Sequence, residues 1–197
     1  IKFNVLRWKF MANKMGASAV EPIRDIEKIQ EIKNYLLHRS FRDYFLFVFG
    51  INSGLRISDI LPLRVMDVKY TTHLKIKEKK TKNIRKTIIT HVLKNEIEKY
   101  TYRMADSDYL FPSQKGNKPI SRVQAWQIIN TASKACGVEG SIGTHTLRKT
   151  FGYHFYQQSK DVAMLQYIFG HSSPSITLRY IGINDDMVDE ALVNFSL

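Results

Sequence analysis

The amino-acid sequence predicts a mainly α-helical domain carrying a small antiparallel β-sheet, an α+β fold. Three observations predict it. Apolar residues recur at helical spacing over most of the 197 residues, as they do in helices with one face turned to a core. One stretch only, residues 68–90, changes character and alternates as strands do. Hydrophobic residues at 44% and aromatics at 12% are enough to close a core in a chain of this length.

Residues 1–20 read as an amino-terminal arm or linker remnant, and residues 21–197 as the domain itself, including a C-terminal helix. From Asp25, the apolar residues Ile26, Ile29, Ile32, Leu36 and Leu37 define a first helix. Residues 41–52 are apolar nearly all round, which suits a central helix, and Ser53-Gly54 breaks it. Leu74-Lys75-Ile76-Lys77 and Thr87-Ile88-Ile89-Thr90 are the two strands, joined by a lysine-rich turn. Helical spacing resumes with Leu93, Ile97, Tyr100 and Met104, and residues 115–119 form a loop around Gly116 and Pro119. Ser121 with Gln124 three residues on has the form of a capping box, opening a helix that runs toward Cys136. Further helices are expected at residues 147–157 and 162–169. Ser173-Pro174 is an N-cap followed by proline at the first helical position, the start of a short helix carrying Tyr180. Met187, Val188, Ala191, Leu192 and Phe195 form an apolar stripe on the C-terminal helix.

Composition narrows the function. The formal charge of +12, with a pI near 9.7, points to a polyanionic partner. Charge alone leaves nucleic acid, a membrane surface and an acidic protein open. The one cysteine, Cys136, excludes a disulfide framework and a cysteine-based zinc site. Six histidines show no His-Glu-x-x-His or comparable ligand spacing, so no metal site is expected. The longest apolar run, residues 44–51, is too short to span a bilayer. Without a visible secretory signal, a bacterial cytoplasmic location is expected.

Three blocks carry chemistry. Ser53-Gly54-Leu55-Arg56-Ile57-Ser58-Asp59 sets an arginine on an apolar segment. His145-Thr146-Leu147-Arg148 puts a histidine and an arginine one helical turn apart, on one face. Gly170-His171-Ser172-Ser173-Pro174 leads to Tyr180 nine residues after the second histidine. Attack on a phosphodiester needs a deprotonated nucleophile, neutralised phosphorane-like charge, and a proton for the departing oxygen. A tyrosine of pKa about 10 is only ~0.1% ionised at pH 7 and needs help. Cations placed where charge develops are the strongest single lever, and a guanidinium fork suits two phosphate oxygens at any working pH.

In order and spacing these blocks resemble the catalytic domain of the tyrosine recombinases, the phage-integrase family of site-specific DNA breaking and joining enzymes. The resemblance runs from Ser53 to Tyr180. It implies Tyr180 as nucleophile, leaving a 3′-phosphotyrosyl link and a free 5′-hydroxyl, with no cofactor, ATP or metal. Arg56 and Arg148 would clamp the phosphate, with Asp59 one turn from Arg56 holding it in place. His145 is implied as proton acceptor or hydrogen-bond partner near the nucleophile, and His171 as donor to a non-bridging oxygen. The family places a general-acid lysine in the hairpin turn. Lys80 fits best, with Lys79 and Lys82 the rivals and otherwise backbone-phosphate contacts. His38, His73, His91 and His154 match no motif position and are assigned structural roles. Thr146 and Phe169 are small departures from the family pattern.

The implied partner is double-stranded DNA, bound by a homo-oligomer that is a tetramer on DNA. Too few residues precede the catalytic part for the amino-terminal helical clamp of the family. A fragment or a single-domain recombinase is therefore expected. Two other classes stay open: a type IB topoisomerase that relaxes DNA as a monomer, and a non-catalytic DNA-binding regulator. A metal nuclease is disfavoured, because no carboxylate cluster suits magnesium.

Overall fold

The computed structural model describes residues 20–77, 84–183, 192, 193 and 195. Helix α1 (Ile26–Arg39) is capped by Asp25, whose side chain accepts from the amides of Glu27 and Lys28, donors that a first helical turn cannot satisfy itself. Its Ile29, Ile32 and Leu36 are buried against α2 (Phe41–Ser53). In α2 the run Phe45 to Phe49 is buried without a break, which is what apolarity on every side requires. Gly54 ends α2 at φ 62°, a left-handed cap open to a residue without Cβ. A Cβ there would also meet the Phe151 ring at 2.6 Å. The short α3 (Ile57–Ile60) follows at once, with Arg56 as its N-cap.

Strands β1 (His73–Lys77) and β2 (Ile84–Ile88) pair antiparallel, with His73 opposite Ile88 and Lys77 opposite Ile84. The second strand therefore sits earlier than the alternation at residues 87–90 suggests. Thr90 leaves the sheet because its hydroxyl accepts from the Leu93 amide and caps α4 (His91–Thr101). Met104 continues the spacing of Leu93 and Ile97 past the helix end, and packs on the same core from the turn beyond it. The capping box at Ser121 and Gln124 forms as the sequence predicts and opens α5 (Arg122–Ala135).

Three helices complete the domain: α6 (Thr144–Ser159), α7 (Val162–Phe169) and α8 (Pro174–Ile181). Helix α6 begins three residues before the apolar pattern at Leu147, because the Thr146 hydroxyl accepts from the Gly143 amide and closes the first turn. It packs against α2 and α5 on one side and α7 and α8 on the other, so it divides two apolar clusters. The larger runs from Ile23 to Leu147, and the smaller joins Leu165, Phe169 and Ile181 with Phe151 and Tyr180. Residues 20–24 cross α6 as a strap, with the Ile23 amide donating to Thr150 Oγ1 at 2.9 Å and His154 Nε2 donating to the Ile23 carbonyl at 3.0 Å. Of the C-terminal stripe, Met187, Val188 and Ala191 lie outside the described residues, while Leu192 and Phe195 are exposed.

Candidate active site

Arg148 sits at the seam between the two clusters. It is 2% exposed, and its guanidinium donates to the Gly54 carbonyl and, at 2.8 Å, to the Phe169 carbonyl. These are the carbonyl ends of α2 and α7, where helix dipoles concentrate negative charge. Two helix C-termini thus offset part of the cost of burying a cation. The guanidinium also lies 4.2 Å from the centroid of the Phe169 ring, within range of a cation–π contact. After each of those helix ends comes another motif residue: Arg56 two residues beyond Gly54, and His171 two beyond Phe169. Arg148 therefore ties three separate sequence blocks together.

Tyr180 lies on α8 with its ring edge-on to Phe169 and His171, at centroid distances of 5.5 and 5.1 Å. Burial pushes its phenol pKa above the usual tyrosine value, while Arg148, Arg56 and a hydrogen bond from Arg148 oppose the rise. A phenol in this setting rests neutral, with cations nearby that favour its phenolate. The Ser173 hydroxyl caps α8 by accepting from the Ile176 amide, with Pro174 at the helix start, as the sequence predicts. His171 Nδ1 lies 3.1 Å from Thr177 Oγ1 on the same helix.

His145 and Arg148 are one turn apart, but the two side chains do not share an environment: His145 is exposed and Arg148 is inside. A residue three positions on is rotated by about 60° around a helix, and α6 turns its inner edge between these two. The two still interact. The His145 pKa is lowered from 6.5, first by desolvation and then by Arg122, Arg148, Lys149 and Arg56. The ring is thus held neutral at pH 7, able to accept a proton. Arg56 is half-buried between the buried Leu55 and Ile57, and Asp59, one turn on, is 3% exposed. Lys79, Lys80 and Lys82 lie outside the described residues. Lys77, the last residue of β1, is exposed.

Four residues near the site carry no motif signal. Lys149 Nζ stands 5.1 Å from the Tyr180 ring centroid, and its own pKa is lowered by burial, with Glu21 raising it and Arg24 lowering it. Arg24 donates at 3.4 Å to the carbonyl of Gly182, the C-cap of α8. Arg122 opens α5 beside His145, and Thr177 is fully buried under His171. Of these, only Thr177 could have been suspected, since it lies one turn before Tyr180 on the same short helix. Among the described residues, no three His, Cys, Asp or Glu side chains are grouped to hold a metal ion, and no helix is long and apolar enough to cross a membrane.

This frame has counterparts among known proteins. A model of the phage integrase family matches residues 23–187, and the chain belongs to that family. Its fold is that of a tyrosine recombinase catalytic domain. It is similar to the probable integrase/recombinase YoeC of Bacillus subtilis, at 62% identity over 167 residues, covering 85% of this chain and 92% of that protein. A tyrosine recombinase of Pseudothermotoga lettingae is 30% identical over 84% of this chain, and the chain spans 57% of its length. In structure, the XerA recombinase superposes with a TM-score of 0.71 at 20% identity, covering 90% of this chain and 65% of that one. The XerH recombinase bound to palindromic difH substrate superposes at 0.68 and 18% identity, over 91% of this chain and 54% of that one.

Proposed function

We propose that residues 21–197 are the catalytic domain of a site-specific DNA recombinase that breaks and rejoins strands through Tyr180. The observation that carries this reading is the burial of Arg148 at the junction of the three motif blocks. It is bonded to the helix ends that precede Arg56 and His171, and it shares the Phe169 ring with Tyr180. The Tyr180 oxygen attacks phosphorus, the phenol proton passes to neutral His145, and the bond to the 5′-oxygen breaks. Lys80 returns a proton to that oxygen, with Lys79 and Lys82 at the DNA backbone. Arg56 and Arg148 neutralise the non-bridging oxygens, Asp59 steadies Arg56, and His171 donates to the same phosphate. The bond energy stays in the 3′-phosphotyrosyl link, and a free 5′-hydroxyl reverses the step.

Double-stranded DNA is the partner. The charge of +12 and the likeness to a recombinase solved on its DNA substrate support it. Binding through phosphates should weaken steeply with salt. Relatives named integrase or recombinase favour strand exchange over relaxation by a type IB topoisomerase. The family resemblance supports a tetramer on DNA and a bacterial cytoplasmic location, with residues 1–20 as an arm. The test is a denaturing gel for a protein–DNA adduct on nicked suicide duplexes. Wild type should form the adduct and Tyr180→Phe should not, while both bind DNA; an adduct with Tyr180→Phe refutes the nucleophile.

A further inference from the structure

Thr177 is one of few polar residues with no exposure at all. Its Oγ1 has two close polar neighbours. The Ser173 carbonyl lies 3.2 Å away, one turn back along α8, and His171 Nδ1 lies 3.1 Å away. A hydroxyl has one proton and so can donate to only one of them. The carbonyl has no proton to give. The Ser173 carbonyl also accepts from the Thr177 amide at 3.3 Å, so the hydroxyl and the amide of one residue share one acceptor. If the hydroxyl turned to Nδ1 instead, its oxygen would face that carbonyl lone pair to lone pair at 3.2 Å. The hydroxyl proton therefore goes to Ser173, and the lone pairs of Oγ1 are left for an N–H on Nδ1.

We propose that Thr177 is a positioning residue that fixes His171 in the tautomer protonated on Nδ1; its catalytic consequence rests on the recombinase reading above. In the neutral ring Nε2 then bears a lone pair, and it becomes a donor only when the ring is an imidazolium. A neutral His171 cannot give a hydrogen bond to a non-bridging phosphate oxygen from Nε2, so the ring contacts the phosphate in its charged form. Among the described residues, the groups facing the ring include Tyr180 from α8 and, across Phe169, Arg148 from α6. An incoming phosphate adds the negative charge that favours the imidazolium against that arginine. Thr177 thus links a helix-internal back-bond to the protonation state at the reacting phosphate. The same logic sets the ring nitrogens of metal-bound histidines through their outer partners.

The test uses the whole chain with 15N-labelled histidine, the His171 signals being identified by their loss in His171→Gln. At a pH where the ring is neutral, wild type should show a protonated Nδ1 and a bare Nε2. Thr177→Val keeps the volume and removes the acceptor, and should move the neutral ring toward the Nε2–H form. Thr177→Ser should retain the wild-type pattern. On saturating nicked duplex, the wild-type adduct rate should fall as His171 loses its proton. At low pH wild type and Thr177→Val carry the same imidazolium and should agree. Thr177→Val, whose neutral ring can donate from Nε2, should lack that fall. At high pH it should run about tenfold faster or more than wild type, within the range one positioned proton donor supplies, while Thr177→Ser should behave as wild type. A wild-type ring protonated on Nε2, or a tautomer unmoved in Thr177→Val, overturns the inference. A wild type that forms no adduct at any pH counts against the recombinase reading, and the nitrogen spectra still decide the tautomer.

Discussion

Gly152 is where packing and chemistry meet most tightly. It lies in α6 facing α7 and α8, and a Cβ there would come within 2.7 Å of Ile181 Cγ2 and of two atoms of the Phe169 ring. Ordinary carbon contacts are about 3.5–4.0 Å, so both neighbours would have to retreat by roughly 1 Å. Neither is a flexible chain end. Phe169 is a stiff ring held under the Arg148 guanidinium, and Ile181 follows Tyr180 on α8. Overpacking of this kind costs about 1–3 kcal/mol, and three hard contacts put it at the upper end. Replacing glycine by alanine inside a helix returns about 1 kcal/mol. Gly152→Ala should therefore lose about 2 kcal/mol net. For a chain of this size that lowers Tm by roughly 4–8 °C, measured by calorimetry with a check for two-state unfolding. Below the transition, the folded variant should also form adduct more slowly, since both displaced groups flank Tyr180. A Tm equal to or above wild type would refute the reasoning, because it would mean that α7 and α8 yield without cost.

Two further perturbations probe the electrostatics. The His145 ring should titrate below 6.5 in the DNA-free protein, as followed by NMR of the imidazole carbons, because desolvation and four cations disfavour its charged form. Its unfolded value is about 6.5, so the unfolded chain binds the extra proton first. Stability should then decline as pH falls through that value, and His145→Gln should remove this decline; titration at or above 6.5 would count against the cation cluster. Lys149→Met keeps the stem and removes the ammonium over the Tyr180 ring. A loss of about 0.5–1 kcal/mol is expected, a Tm drop of roughly 1–4 °C, with a slower adduct rate that Lys149→Arg restores. An unchanged rate would show that the ring is held by Phe169 and His171 alone.

Much of the frame was legible because it is local. The capping box at Ser121, the Ser173-Pro174 helix start and the Gly54 break each depend on residues within one turn, and each forms where the spacing predicts. The misjudged edges are places where two local rules compete. Thr90 has β propensity and capping ability, and the cap prevails because α4 must satisfy its first amides. His145 and Arg148 share a helix and differ in burial, since a three-residue step does not return to the same azimuth. Lys149, Arg24 and Arg122 carried no pattern at all, because their place beside the site is set by helices that meet far apart in sequence.

The fold class and the order of the helices could be read from the sequence alone, and so could the three blocks that hold the candidate arginines, histidines and tyrosine. Residue type and short spacing encode all of these. Tertiary structure alone decided how the three blocks are joined. Arg148 is buried against the carbonyl ends of two helices that lie 94 and 21 residues from it in the chain, a partnership between backbone groups that every residue possesses. Thr177 likewise acquires a role only when folding closes its hydroxyl between an acceptor and an imidazole. Backbone carbonyls and buried hydroxyls have no sequence signature of their own, and their direction exists only once the helices have packed.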